Sequence, residues 1–89
     1  MEIKKLASAG TMESSDAYVE IEPGTDGVEI QLDSVVMAQF GEDILAVVRQ
    51  VLGDLGVEKA KVRVVDRGAL DCVIRARVET AVLRGKGDA

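Results

Sequence analysis

Few residues in this chain could do chemistry, and the most suggestive lie together. Gly10 to Ala17 reads GTMESSDA, which places Ser14 and Ser15 side by side between Glu13 and Asp16. A serine becomes a nucleophile when a nearby base takes its proton, and the chain contains no histidine to do so. If one of these serines is functional, it is better suited to carrying a modification than to catalysis. The ordinary alternative is an acidic turn, because Ser and Asp side chains bond nearby backbone groups. A second Asp-Ser pair, Asp33 and Ser34, stands where a helical pattern begins, as capping alone would place it. Arg63, Arg67, Arg75, Arg77 and Arg84 gather in the C-terminal third of the chain. They read as a solvated face with i,i+4 pairing, or as a docking surface or a contact for ligand phosphates. Cys72 is the lone cysteine, so no intrachain disulfide can form, and its small size and apolar neighbours place it in the core.

Composition removes several function classes. With 16 acidic and 11 basic residues the net charge is -5, which disfavours the basic footprint needed to bind nucleic acid. Tyr18 and Phe40 are the only aromatic residues, too few for a base-stacking platform. Absent histidine and a single cysteine remove the usual transition-metal ligand sets and base-activated nucleophiles. The carboxylates are abundant, but their spacing singles out no acid-base pair. The sequence thus assigns no catalytic residue and no metal ligand. MEIKKLASAG lacks the apolar run of a signal peptide, and no segment reaches the length of a membrane span. A soluble protein of the reducing cytoplasm, without membrane or nucleic-acid partners, is the expectation.

The 89 residues suit a single domain, 1–89, with one core. Residues 6–12 alternate weakly and AYVEIEP alternates cleanly, so ESSD becomes the tip of a first hairpin. PGTDG then turns the chain into VEIQL, giving a β-meander. From Ser34 the period changes to 3.6, with Val36, Phe40, Ile44, Val47, Val48, Val51, Leu52 and Leu55 on one stripe. Asp33 or Ser34 is the expected N-cap, and Gly53 or Gly56 the left-handed end. VEKAKVRVVD is a returning strand with a basic outer face. Residues 70–84 alternate as a strand would, yet a helix is favoured. Leu70, Ile74, Val78 and Ala81 make a stripe, and Asp71–Arg75 and Arg75–Glu79 have i,i+4 spacing. The tail, 85–89, is expected to be disordered. The result is an α+β fold, β-β-β-α-β-α. A small, mostly antiparallel sheet carries two helices on one face, compatible with a partly ferredoxin-like arrangement.

The stretches AGTMESSDAYVEIEP, QFGEDI and DRGALDCVIRARVETAVLR together closely resemble the acyl carrier, or gamma, subunit of citrate lyase. The resemblance runs over nearly the whole chain. It implies that Ser14 carries 2'-(5''-phosphoribosyl)-3'-dephospho-coenzyme A through a phosphodiester, leaving Ser15 as the neighbour. It also implies a noncatalytic subunit that presents acetyl and citryl thioesters to the alpha (acyl transferase) and beta (citryl lyase) subunits as citrate is cleaved to acetate and oxaloacetate. A separate prosthetic-group transferase would modify Ser14. On this view Glu13 and Asp16 repel the phosphates of the arm and keep it extended. The carrier of malonate decarboxylase is a sibling reading, and a noncatalytic interaction domain is another. The segment DSVVM also resembles, less closely, the site at which four-helix carriers bear phosphopantetheine, which would use Ser34.

Overall fold

The computed structural model describes residues 1–87. Its elements run β1 (Ala7–Gly10), β2 (Ala17–Pro23), β3 (Val28–Ser34), α1 (Met37–Asp54), β4 (Ala60–Asp66) and α2 (Asp71–Gly85). The α+β class and the element order match the sequence reading, and the helix expected near 70–84 is α2. The strands form one sheet in the order β1-β2-β4-β3. β1–β2 and β2–β4 are antiparallel, and β3–β4 is parallel.

The β-meander is corrected by this order: β2 and β3 are not neighbours, because β4 lies between them. The reason is burial. Ala60, Val62 and Val64 of β4 are all but inaccessible, so this strand gains most from a central position with its ladder paired on both sides. β3 carries Glu29, Gln31 and Asp33 on exposed positions and suits an edge. The PGTDG connection therefore arches over the start of β4. Gly27 accepts a bond from the Ala60 amide at 3.1 Å. A Cβ at Gly24 would lie 2.8 Å from that same nitrogen, so the close crossing needs glycine there. β3 and β4 are direct neighbours joined through α1, unlike a split βαβ unit in which another strand intervenes.

Both helices pack on one face of the sheet. Ala9, Ala17, Val19, Ile21, Val62 and Val64 meet Ile44, Val48, Val51 and Leu52 of α1 and Ile74, Val78, Ala81 and Val82 of α2 in one core. Each large aliphatic side chain so buried contributes about 1.5–3 kcal/mol. Glu20, Glu22, Lys61 and Arg63 alternate onto the uncovered face.

The start of α1 departs from the expected cap. Asp33 and Ser34 are still strand residues, with Ser34 opposite Asp66 in the parallel ladder. Val36 is the N-cap and makes no side-chain cap bond. This later start rotates the stripe. Ile44, Val47, Val48, Val51 and Leu52 are buried as expected, but Phe40 is 52% exposed. Gly41 takes the inward position, overlain by the Met37 side chain. At the other end Gly56 is left-handed, φ 71°, and its amide bonds back to Gly53. Gly85, placed in the expected loose tail, is instead the buried last residue of α2, and its carbonyl accepts bonds from the Lys4 and Lys5 amides. A side chain there would press on Ile21 and Ile3, so the chain closes tightly at this point. Residues 88–89 of that expected tail lie outside the described residues. No helix among the described residues is long and apolar enough to cross a membrane.

Candidate functional site

Residues 11–16 join β1 to β2, so GTMESSDA is indeed the end of a hairpin. The Asp16 amide donates to the Glu13 carbonyl at 3.1 Å, closing a β-turn with Ser14 and Ser15 at its centre. Ser15 is the one non-glycine residue with positive φ among the described residues, at 65°. Positive φ at the second central position alone is the type II pattern, a place usually given to Gly or Asn. A serine there stores about 1 kcal/mol or more of backbone strain, which the surrounding bonds must hold. Ser14 and Ser15 are both exposed. The Ser14 hydroxyl has no hydrogen-bond partner among the described residues.

The support beneath the turn centres on Asp16. Thr11 donates its hydroxyl to Asp16 Oδ2 at 2.6 Å, and the Ala17 amide donates to Oδ1 at 2.7 Å. Arg77, from α2, reaches across with Nε on Oδ1 and Nη2 on Oδ2, both at 3.0 Å. Such a two-point guanidinium contact fixes orientation as well as charge. The Thr11 hydroxyl, the Arg77 guanidinium and the Ala17 amide hold the Asp16 carboxyl down at about 2, below its ordinary 3.8. The turn backbone is also tied to the end of β4. The Ser15 amide donates to the Arg67 carbonyl at 2.8 Å, and the Arg67 amide donates to the Asp16 carbonyl at 2.9 Å.

Thr11 and Arg77 were not singled out by sequence reasoning as partners of Asp16. The signal was present, since GTMESSDA and GALDCVIRAR were the stretches that carried the resemblance. In the fold they make one structure: Arg77, the last residue of RAR, clamps the last acid of ESSD. The expectation that Glu13 and Asp16 act as a repelling pair is corrected in one half. Asp16 faces its partners at the base of the turn, and only the exposed Glu13 carboxylate is without one among the described residues.

The remaining candidates separate. Ser34 is half-buried; its hydroxyl donates to Asp66 Oδ2 at 2.7 Å and accepts from the Val36 amide at 3.1 Å. That oxygen has a structural task, and it does not sit at a helix N-cap. Asp66, the last residue of β4, is 1% exposed. It accepts the Ser34 hydroxyl and the Ala69 amide on its side chain, and the Val35 amide on its carbonyl. The arginines form no single face. Arg75 donates to Gln50 and not to the i,i+4 acids, Arg84 donates to the Ser8 carbonyl on the sheet edge, and Arg63 lies on the uncovered sheet face. Cys72 is exposed, not packed, because it stands in the first turn of α2 two positions before Ile74, on the side of the helix away from the buried stripe through Ile74 and Val78.

Fold and site together define an α+β domain that offers two exposed serine hydroxyls, those of Ser14 and Ser15, on a turn held from below. A family model described as malonate decarboxylase delta subunit (MdcD) matches residues 4–85. The citrate lyase acyl carrier protein of Albidiferax ferrireducens is 55% identical over 89 residues, covering 99% of this chain and 91% of that protein. That of Leuconostoc mesenteroides subsp. cremoris is 54% identical over 84 residues, covering 94% and 87%. In fold, the chain is similar to one in the crystal structure of a Pseudomonas malonate decarboxylase hetero-tetramer in complex with malonate. The TM-score is 0.78 and the identity 21%, over 94% of this chain and 91% of that one. The chain belongs to the citrate lyase acyl carrier protein family.

Proposed function

We propose that this chain is the acyl carrier of a citrate lyase, bearing phosphoribosyl dephospho-coenzyme A covalently on Ser14. The observation that carries the reading is the state of the Ser14 hydroxyl: exposed, without a partner among the described residues, and at the first central position of a turn braced through its backbone and the Asp16 carboxylate. Those features fit a phosphodiester anchor, which needs a free oxygen and room on every side. The bound group supplies a thiol that holds an acyl cargo as a thioester. Everything else falls to the chain. Asp16, Thr11 and Arg77 keep the turn in one shape, so that a modifying transferase meets the same serine geometry each time. The sheet and helices hold the anchor still while a tethered cargo is offered at high local concentration to the alpha and beta subunits. The carrier is itself noncatalytic and works in the cytoplasm.

The family resemblance assigns the anchor to Ser14, and Ser15 contributes the left-handed backbone of the turn and an amide that ties it to Arg67. Malonate decarboxylase is the second reading, favoured by the description of the matching family model. The identity of 55% to a citrate lyase carrier outweighs it. Intact mass of the protein from a host that makes the modifying enzyme, followed by peptide mapping, tests the proposal. The adduct should lie on the peptide containing Ser14, vanish in Ser14→Ala and persist in Ser15→Ala. Loss in Ser15→Ala alone would overturn the residue assignment.

A further inference from the structure

The turn that carries Ser14 is bonded to one arginine through the backbone. Arg67 donates its amide to Asp16 and accepts from the Ser15 amide, so Ser15 and Asp16 together face this one residue in a bulge just beyond the Ala17–Asp66 pair. Its own loop is equally fixed. Asp66 Oδ1 accepts the Ala69 amide, and Gly68 takes φ 91° to bring the chain round. Arg67 is thus held by its main chain on both sides, while its side chain is exposed and its guanidinium has no partner among the described residues. The other arginine at this site, Arg77, is committed to Asp16. Arg67 thus has its charge uncommitted among the described residues, on a backbone bonded directly to the turn that holds Ser14.

We propose that Arg67 is the phosphate-binding residue of the attachment site, its guanidinium holding the phosphodiester joined to Ser14 Oγ. The proposal rests on the reading of Ser14 as the anchor. Paired strands lie ~4.8 Å apart. An arginine side chain spans more than that, so the turn lies within its reach from Arg67. Its planar fork matches two phosphate oxygens at once. The charges supply the selectivity: with Asp16 neutralised by Arg77, the field at Ser14 comes from Glu13 on one side and Arg67 on the other. A phosphodiester would turn toward the cation and away from Glu13. The base of the arm is then directed, and its mobility begins beyond the first phosphate.

The test compares nitrogen-15-labelled protein in unmodified and loaded forms. On loading, the Arg67 Nε–H resonance should move downfield and exchange with water about tenfold more slowly, as a charge-assisted bond requires. The corresponding signals of Arg49 and Arg63 should stay where they are. The phosphorus-31 line of the serine phosphodiester should shift in Arg67→Gln and return most of the way in Arg67→Lys. An unchanged Arg67 signal, or the same phosphorus line in wild type and Arg67→Gln, overturns the proposal while leaving the anchor intact. A wild-type protein whose mass stays that of the bare chain, or whose adduct maps away from Ser14, overturns both.

Discussion

Gly10→Ala should be far more damaging than its size suggests. Gly10 ends β1 directly before the turn, with φ 92°, where an alanine costs about 1–2 kcal/mol. A Cβ there would also drive into the Ala17 carbonyl across the hairpin and stand 3.0 Å from Arg77 Cδ. The carbonyl is backbone and cannot step aside, so overpacking adds about 1–3 kcal/mol. The lower chain entropy of unfolded alanine offsets about 0.5–1 kcal/mol. A net loss of about 3 kcal/mol is expected, out of the roughly 5–15 kcal/mol that holds a domain together. At an m-value of about 1 kcal/mol/M, the urea midpoint should fall by about 3 M. Gly53→Ala is the control, since nothing lies within 4 Å of a Cβ there and the residue is helical. It should be neutral or stabilising by up to about 1 kcal/mol. The assay is equilibrium urea unfolding, with amide exchange across β1 and β2. A Gly10→Ala loss below about 1 kcal/mol would refute the reasoning, because it would mean that the hairpin base and the Arg77 clamp are not rigid. The amides of Ser15 and Asp16 should lose protection with those of β1, since one displacement touches both.

Three further expectations concern the same molecule. Because the Asp16 carboxyl is lowered in the fold, its stabilisation is complete above its ordinary 3.8 and is lost as pH falls toward about 2. The stability difference between wild type and Asp16→Asn should therefore shrink across that window, and Thr11→Val should bring the carboxyl back toward 3.8, as side-chain NMR titration would read. Ile74→Ala removes a wholly buried side chain where the second helix meets the sheet and should cost about 3–4 kcal/mol in denaturant unfolding. Phe40→Ala should cost less than about 1 kcal/mol, because the ring is 52% exposed, whereas a core phenylalanine would cost about 3–5 kcal/mol.

The elements were legible because their periods are clean. AYVEIEP alternates with period two, and Ile44 to Leu52 recur at three and four, so strand and helix could be told apart. Pairing was not legible from local pattern. PGTDG looks like a hairpin turn, and only the competition between strands for the centre, which Ala60, Val62 and Val64 win, separates β2 from β3. Ser34 misled for a related reason. Its fit to a helix cap is local, while its bond to Asp66 spans 32 positions. At the site, exposure of the ESSD turn followed from its place between strands. The clamp did not, because Asp16 and Arg77 stand 61 positions apart and no pairwise signal in one sequence connects them. Cys72 shows the same limit on a smaller scale: apolar neighbours in sequence do not fix which side of a helix faces inward.

The central claim is that Ser14 is the anchor, and intact mass with peptide mapping of the protein loaded in its own host tests it most directly. A mass increase equal to one phosphoribosyl dephospho-coenzyme A, on the peptide holding Ser14 and absent from Ser14→Ala protein that remains folded, is the result predicted. Phosphopantetheine on Ser34, or an unmodified chain in a host that contains an active citrate lyase, would contradict it.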